Sequence, residues 1–272
     1  MDYFKGKLVY ITGGSSGIGL DTARLLAARG ANVALFARSE ANLEAARKDI
    51  ERHRLYPEQR VHTMQADVAE DRSCRAKMQE AAESFGIPDI VITSAGVGSA
   101  DHFENISQED FDALMKINVY GTRSVISALL PLMKKRGGQF VLISSAAGLM
   151  GMYGYSSYST SKYALVGLAE CLRSELKPHG ISVTVVCPPE VETPFLARES
   201  TIPPEARAMK SFAGKLQSGP VARTIVKGIE KKKFMVIPGI LARLLYLNHR
   251  LTNGHATRFT SDLIVKWVRF MK

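Results

Sequence analysis

The stretch LVYITGGSSGIG, residues 8–19, decides the fold of this chain. It begins with a short apolar run typical of a buried strand, and Gly17 opens a segment with apolar residues at helical spacing. Between them, glycines from Gly13 to Gly19 follow the pattern Gly-x-x-x-Gly-x-Gly. Glycine lets the backbone approach a pyrophosphate, and the amides that open the helix attract its charge. An ordinary flexible turn is the alternative, but the order of strand, glycines and helix favours a phosphate-binding turn.

The same alternation of apolar runs and helical patterns continues to residue 190. It predicts an α/β fold with a doubly wound parallel sheet between two layers of helices. The predicted strands are Leu8–Ile11, Asn32–Phe36, Val61–Gln65, Ile90–Thr93, Gln139–Ile143, Ser182–Cys187 and Phe234–Ile237. The predicted helices are Gly17–Arg29, Ala41–His53, Ser73–Phe85, Phe111–Lys135 and Ser157–Lys177.

No linker or repeat divides the 272 residues, so we expect one catalytic domain over residues 1–238. The pattern loosens after the sixth strand, and residues from about 190 to 218 are expected to form a substrate lid. Residues 239–272 form a tail of different character. Ten Lys and Arg against two acidic residues give positions 227–272 a net charge of +8 of the chain's +10.

Three cysteines, Cys74, Cys171 and Cys187, fit neither a disulfide framework nor a zinc site, so no metal is expected. There is no basic-then-apolar leader, and no apolar run reaches the ~20 residues of a membrane span. We therefore expect a cytoplasmic protein, with at most a peripheral position on the membrane.

The glycine spacing resembles the Thr-Gly-x-x-x-Gly-Ile-Gly motif of short-chain dehydrogenases/reductases. The resemblance covers roughly residues 5–237 and implies a Rossmann-type sheet of seven strands, a nicotinamide dinucleotide and a homo-oligomer, either a dimer or a tetramer. The cofactor contacts that it implies in the first turn are Gly13, Ser15, Ser16, Gly17, Ile18 and Gly19.

Further cofactor contacts follow the next strands. Arg38 stands where an acidic residue would select NADH, and its guanidinium favours the 2′-phosphate of NADPH, although a solvated Arg at a helix start is the alternative. The resemblance places Asp67 at the adenine and makes Val68 a further cofactor contact, and Asp67 would also serve as a helix cap. Ala95 and Gly96 are expected beside the cofactor, in a Ser-Ala-Gly that replaces the family's Asn-Ala-Gly.

A phenol and an ammonium, Tyr158 and Lys162, stand four residues apart on a predicted helix and hence on one face. Tyr-x-x-x-Lys alone is a weak signal, but Ser145 after a strand and Asn118 complete the Asn-Ser-Tyr-Lys set of the family. In the implied ketone reduction, Ser145 holds the carbonyl oxygen and Tyr158 protonates it.

The remaining roles complete the implied mechanism. Lys162 lowers the pKa of the phenol and orients the nicotinamide ribose, and Asn118 helps to hold a water. Ser144 competes for the role of Ser145, while Tyr153 and Tyr155, with no lysine four residues later, are expected to line the pocket.

The sequence PPEVETP, residues 188–194, stands where the family usually has Pro-Gly. It resembles the corresponding segment of 3-ketodihydrosphingosine reductases, which implies reduction of 3-ketodihydrosphingosine to dihydrosphingosine in sphingolipid biosynthesis. Pro188, Val191 and Thr193 are the cofactor contacts implied there.

The tail is amphipathic from residue 257 onward, with one apolar helical face made of Phe259, Leu263, Trp267, Phe270 and Met271. Flanking basic residues suit an anionic membrane interface, but the face could instead pack on its own domain or on a sister subunit. The functional alternatives are a reductase of another hydrophobic ketone (steroid, retinoid or acyl ketone) and a non-catalytic NADP-, lipid- or nucleic-acid-binding protein. No nucleic-acid-binding motif supports the last of these.

Overall fold

The computed structural model of the chain describes residues 2–193 and 202–271. Its strands are β1 (Leu8–Thr12), β2 (Asn32–Ala37), β3 (Val61–Gln65), β4 (Ile90–Thr93), β5 (Gly138–Ile143), β6 (Ile181–Val186), β7 (Glu190–Glu192), β8 (Lys215–Gln217) and β9 (Met235–Val236). Its helices are α1 (Gly17–Ala27), α2 (Glu40–Glu51), α3 (Asp71–Phe85), α4 (Gln108–Met115), α5 (Gly121–Met133), α6 (Ser156–Leu176), α7 (Pro204–Ala213), α8 (Ser218–Glu230), α9 (Ile240–Leu251) and α10 (His255–Phe270).

Seven of the strands form one parallel sheet in the order β3-β2-β1-β4-β5-β6-β9. In β1, for example, Val9 is in register with Val33 on one side and with Ile90 on the other. Successive strands are added toward one edge of the sheet from β1 to β3 and toward the other edge from β4 onward. This switch between β1 and β4 opens a crevice at the carboxyl ends of these two strands. The predicted seven-stranded Rossmann-type sheet is confirmed.

Both faces of the sheet are covered by helices, which explains why most of its strands are nearly continuous apolar runs, the edge strand β3 being the exception. On β1, Val9 and Ile11 pack in one core cluster with residues of α1, α2 and α8. Tyr10 points the other way and packs in a second cluster with residues of α3, α5 and α6. Side chains that alternate along each strand therefore build the two cores of a three-layer α/β/α fold.

The prediction of one continuous helix over Phe111–Lys135 is wrong, because the structure divides this segment into two α-helices. A π-helical turn, Lys116–Tyr120, separates α4 from α5 and contains the fully buried Asn118. Such turns insert an extra residue into a helix and recur at functional sites. No periodicity in the sequence marks this turn.

The segment after β6 is more regular than the sequence indicated. β7 and β8 pair in parallel, α7 lies between them in sequence, and α8 packs against α1. Of the predicted lid, residues 194–201 lie outside the described residues.

The tail forms the two helices α9 and α10, and α10 packs on α7. Arg269 of α10 faces Glu205 of α7 at 3.8 Å and approaches the Tyr153 hydroxyl at 3.5 Å. Within residues 2–193 and 202–271, no helix is both long and apolar enough to cross a membrane.

Candidate active site

The glycine turn sits at the crevice between β1 and β4. Gly13 has a φ of +67°, and a Cβ there would lie 2.8 Å from the backbone of Ala95. A Cβ on Gly19 would collide with the carbonyl oxygen of Gly13. Only glycine therefore allows β1, the turn and the loop after β4 to come this close.

Helix α1 opens directly onto this turn. Its N-cap, Ser16, makes no side-chain cap hydrogen bond, and the first turn of the helix carries no acidic residue. The first amides of the helix therefore keep their capacity to bind an anion. This arrangement fits the pyrophosphate of a dinucleotide.

One cavity of about 250 Å³ joins the glycine turn to three of the four predicted catalytic residues, Ser145, Tyr158 and Lys162, while Asn118 is not among its lining residues. It is lined by Gly13, Ser16, Gly17, Ile18, Ala95, Gly96, Ser145, Tyr158, Lys162, Pro188, Val191 and Thr193, all predicted from the sequence, together with other residues. Thr193 contacts Gly17, since a Cβ on that glycine would lie 3.0 Å from the threonine methyl. The cavity is therefore continuous from the phosphate-binding turn to the phenol.

Lys162 is 5% exposed, and its Nζ donates a hydrogen bond to the carbonyl of Ile143 at 3.1 Å. The ammonium lies 5.6 Å from the centre of the Tyr158 ring. Burial lowers the pKa of Lys162 to about 8, because removal from water disfavours the charged amine. The lysine thus sits beside the phenol with its charge only weakly favoured at neutral pH.

The two candidate serines have different surroundings. The Ser144 hydroxyl is 2% exposed and donates to the carbonyl of Lys162 at 2.8 Å. Ser145 is half-buried and accepts from the amide of Ala147 at 3.2 Å, and its donor contact to the Pro188 carbonyl is long, at 3.5 Å. Ser145 therefore makes the longer hydrogen bonds to the backbone. It is also the serine that the sequence spacing favours for holding the carbonyl oxygen.

Asn118 ties the loop after β4 to α6. Its amide group accepts from the Val97 amide and donates to the Val97 carbonyl, both at 2.9 Å, and donates to Ser161 Oγ at 3.0 Å. Gly96 lies close to both Asn118 and Lys162. A Cβ added to this glycine would be 3.1 Å from Asn118 Oδ1 and 3.5 Å from Lys162 Nζ. The side chain of Asn118 thus positions the walls around Lys162.

Several predicted cofactor residues are not among the lining residues of this cavity. Arg38 is exposed directly after β2, and Asp67 is half-buried after β3, where it accepts from the amide of Ala69 at 3.0 Å. Val68 is buried against Gly121 of α5. Ser15 and Gly19 belong to the glycine turn, with Gly19 buried behind Gly13.

The sequence reasoning assigned no role in the site to several lining residues, among them Met152, Glu190 and Lys210. Glu190 belongs to the PPEVETP segment, whose unusual acidic residues were a signal, whereas nothing marked Lys210 in α7. Tyr155 lines the cavity as expected. The same expectation for Tyr153 is wrong, because its hydroxyl turns to His102 at 3.3 Å and to the α10 helix.

Residues 7–202 match the family described as short chain dehydrogenase. The chain belongs to the short-chain dehydrogenase/reductase family and is an oxidoreductase with a nicotinamide cofactor.

Among individual relatives, the 3-ketodihydrosphingosine reductase of Bos taurus is 38% identical over 232 residues, which are 84% of this chain and 70% of the relative. Two solved structures share the fold. The alcohol dehydrogenase of the archaeon Thermococcus sibiricus, complexed with 5-hydroxy-NADP, has a TM-score of 0.74 at 26% identity and covers 86% of this chain and 96% of its own. A short chain dehydrogenase from Mycobacterium paratuberculosis bound to NAD has a TM-score of 0.76 at 25% identity. The match covers 86% of this chain and 97% of that structure's chain.

The burial of Lys162 predicts a pH-dependent stability. The folded protein releases this proton near pH 8 and the unfolded chain near 10.5, so the unfolded chain binds more protons between these values. The free energy of unfolding should therefore rise with pH across this window, by up to about 3 kcal/mol. Lys162→Met should lack this gain.

Urea denaturation of the cofactor-free protein at pH 7 and pH 10.5 measures the effect as a difference between wild type and variant. Lys177→Met, at the exposed end of α6, is the control and should keep the wild-type gain. An equal gain in the Lys162→Met protein would contradict the burial of a charged amine.

Proposed function

We propose that this protein reduces 3-ketodihydrosphingosine to dihydrosphingosine with NADPH. The observation that carries the proposal is the single cavity that joins the phosphate-binding turn to Ser145, Tyr158 and Lys162. The bovine 3-ketodihydrosphingosine reductase supports the choice of substrate. Arg38 at the end of β2 supports the choice of NADPH over NADH.

The side chains of the cavity divide the chemistry between them. The bound cofactor would supply a hydride to the carbonyl carbon. Ser145 donates a hydrogen bond to the carbonyl oxygen, and Tyr158 gives its proton to that oxygen as the carbon is reduced. The Lys162 ammonium favours the resulting phenolate, while Asn118 holds the walls around it and, as the family resemblance implies, helps to hold a water.

The cofactor would lie along the carboxyl edge of the sheet. We assign its pyrophosphate to the turn from Gly13 to Gly19, its 2′-phosphate to Arg38 and its adenine to Asp67 and Val68. The nicotinamide end would contact the backbone of Ala95 and Gly96 and the residues Tyr158, Lys162, Pro188, Val191 and Thr193.

We assign residues 1–238 to one catalytic domain and residues from about 190 to 218 to the substrate lid. Support for the lid comes from α7, where Lys210 lines the cavity and the buried Ala206 packs with Tyr155 and Ala100. A lid of this kind would shield a long-chain ketone from water during the reaction.

The direct test is NADPH oxidation with 3-ketodihydrosphingosine and, beside it, a panel of steroid, retinoid and acyl ketones. The proposal predicts turnover of the sphingoid ketone at a kcat/KM above that of every other ketone. Reduction of another class with no turnover of the sphingoid ketone would replace the proposed substrate.

Tyr158→Phe should lower kcat by about 10² to 10⁴-fold, because the variant cannot donate a proton to the carbonyl oxygen. NADPH binding, measured by fluorescence titration, should change little. Tyr155→Phe is the matched control, since this second cavity tyrosine has no lysine four residues later and should lose far less activity. Comparable losses in the two variants would overturn the role of Tyr158.

Arg38→Asp should lower the ratio of kcat/KM for NADPH to that for NADH by at least about tenfold. The substitution removes a guanidinium from the 2′-phosphate and places a carboxylate where it would repel that phosphate. Arg52→Asp, exposed at the end of α2, is the control. An unchanged ratio in the Arg38 variant would argue against NADPH selection at this position.

We also propose that the tail rests on an anionic membrane surface. Support comes from the exposure of its apolar side chains, with Phe259 65%, Trp267 58% and Phe270 91% exposed. Exposed apolar side chains on α9 point to the same role, namely Ile240, Leu244, Leu247 and Leu251. Six basic residues against one acidic residue in positions 239–272 add attraction to anionic lipid. Packing on a sister subunit in a homo-oligomer is the competing role of this face.

Flotation with vesicles that contain anionic lipid measures the membrane contact. Trp267→Glu with Phe270→Glu should abolish flotation, while Leu55→Ser, a comparably exposed residue outside the tail, should not. Unchanged flotation of the double variant would remove the membrane proposal. A shift of the double variant to a smaller species in light scattering would favour the subunit interface instead.

A further inference from the structure

The cavity wall carries a carboxylate that the reduction itself does not use. Glu190, at the start of β7, lines the same cavity as Tyr158 and Ser145, and its side chain is 18% exposed. Its Oε2 lies 3.4 Å from the Nζ of Lys210, whose side chain is 13% exposed. The Lys210 ammonium also lies 5.5 Å from the centre of the Tyr155 ring.

Without Glu190, the charged side chains among the described lining residues would all be positive. Among the lining residues that the structure describes, Glu190 is the one carboxylate, and Lys162 and Lys210 are the two amines. Among these described residues, both amines would repel a cationic ligand that left water for this cavity, and Glu190 would attract it.

The proposed substrate is such a ligand. A 3-keto sphingoid base carries an ammonium on the carbon next to its ketone, so a ketone bound at Tyr158 brings a positive charge into the same small cavity. The separation of 3.4 Å is longer than the 2.7–2.9 Å of a close charge-assisted hydrogen bond, and one carboxylate offers several acceptor sites. Glu190 can therefore accept from a second ammonium while Lys210 stays beside it.

We propose that Glu190 recognises the α-ammonium of the substrate and selects amino ketones over ketones of equal length without the amine. This inference rests on the proposed function and deepens it. Lys210 holds the carboxylate toward the cavity, so α7 takes part in recognition as well as in closing the cavity. The first of the two acidic residues of the PPEVETP segment thereby has a chemical role.

The test compares 3-ketodihydrosphingosine with its analogue in which hydrogen replaces the amino group. The measured quantity is the ratio of kcat/KM for the amino ketone to that for the analogue. Glu190→Gln should lower this ratio by about tenfold to a hundredfold, since a charge-assisted hydrogen bond is lost. Glu190→Asp, which keeps the carboxylate, should recover part of it.

Glu192→Gln is the matched control. Glu192 lies on the same short strand, but its carboxylate is exposed and pairs with Lys215 at 2.7 Å. This variant should keep the wild-type ratio, so a similar fall in both variants would point to damage to β7 and would overturn the proposal.

A double variant separates recognition from simple neutralisation of Lys210. If Glu190 binds the substrate, the ratio stays low in Glu190→Gln combined with Lys210→Met. A ratio restored to the wild-type value would show that Glu190 only cancels the charge of Lys210.

The outcomes also distinguish this inference from the proposed function. A wild-type protein that reduces both ketones equally well contradicts the role of Glu190 and leaves long-chain ketone reduction in place. A wild-type protein that reduces neither ketone contradicts both.

Discussion

A buried ammonium is the constraint on which the active site depends. Lys162 lies in the cavity with its Nζ on the carbonyl of Ile143, at the end of β5. Taking a charge out of water is costly, so the fold must offset this burial by packing and hydrogen bonds elsewhere. The hydrogen bonds of Asn118 to Val97 and Ser161, and that of Ser144 to the Lys162 carbonyl, hold the surrounding backbone in place. The lowered pKa of Lys162 reflects the cost of this position.

Much of the fold could be predicted from the sequence because a parallel sheet covered on both faces demands apolar strands. β1 to β6 and β9 were found this way, and the glycine turn was found because close backbone approach excludes other residues. The π-helical turn at Asn118 could not be predicted, because one extra residue in a helix barely alters its periodicity. Helix α8 was missed because Ser218-Gly219-Pro220 reads as a turn, and only tertiary packing on α1 settles its conformation.

In the candidate site, too, some residues could be predicted from local motifs and others are brought in only by tertiary packing. Tyr158 and Lys162 were predicted because helical spacing puts them on one face and because the family's motif has the same two residue types at this spacing. Lys210 was not, because it reaches the cavity from α7, about fifty residues further along the chain, through packing that no local pattern encodes. Tyr153 was misplaced for a related reason: its partners are His102 and Arg269, which only the folded chain brings together. The contact of α10 with α7 also links the basic tail to the helix that carries Lys210 of the cavity lining.

The central claim is that the buried ammonium makes the phenol of Tyr158 a better proton donor, and titration of that phenol tests it most directly. Tyrosines labelled with ¹³C at Cζ report ionisation by NMR in the NADP⁺-loaded protein, and the Tyr158→Phe variant assigns the resonance. Because the Lys162 ammonium loses its proton near pH 8, the account predicts that Tyr158 ionises below that pH, well under the ordinary tyrosine value of about 10, with a return toward that value in Lys162→Met. A Tyr158 resonance that titrates near 10 in both proteins would contradict it.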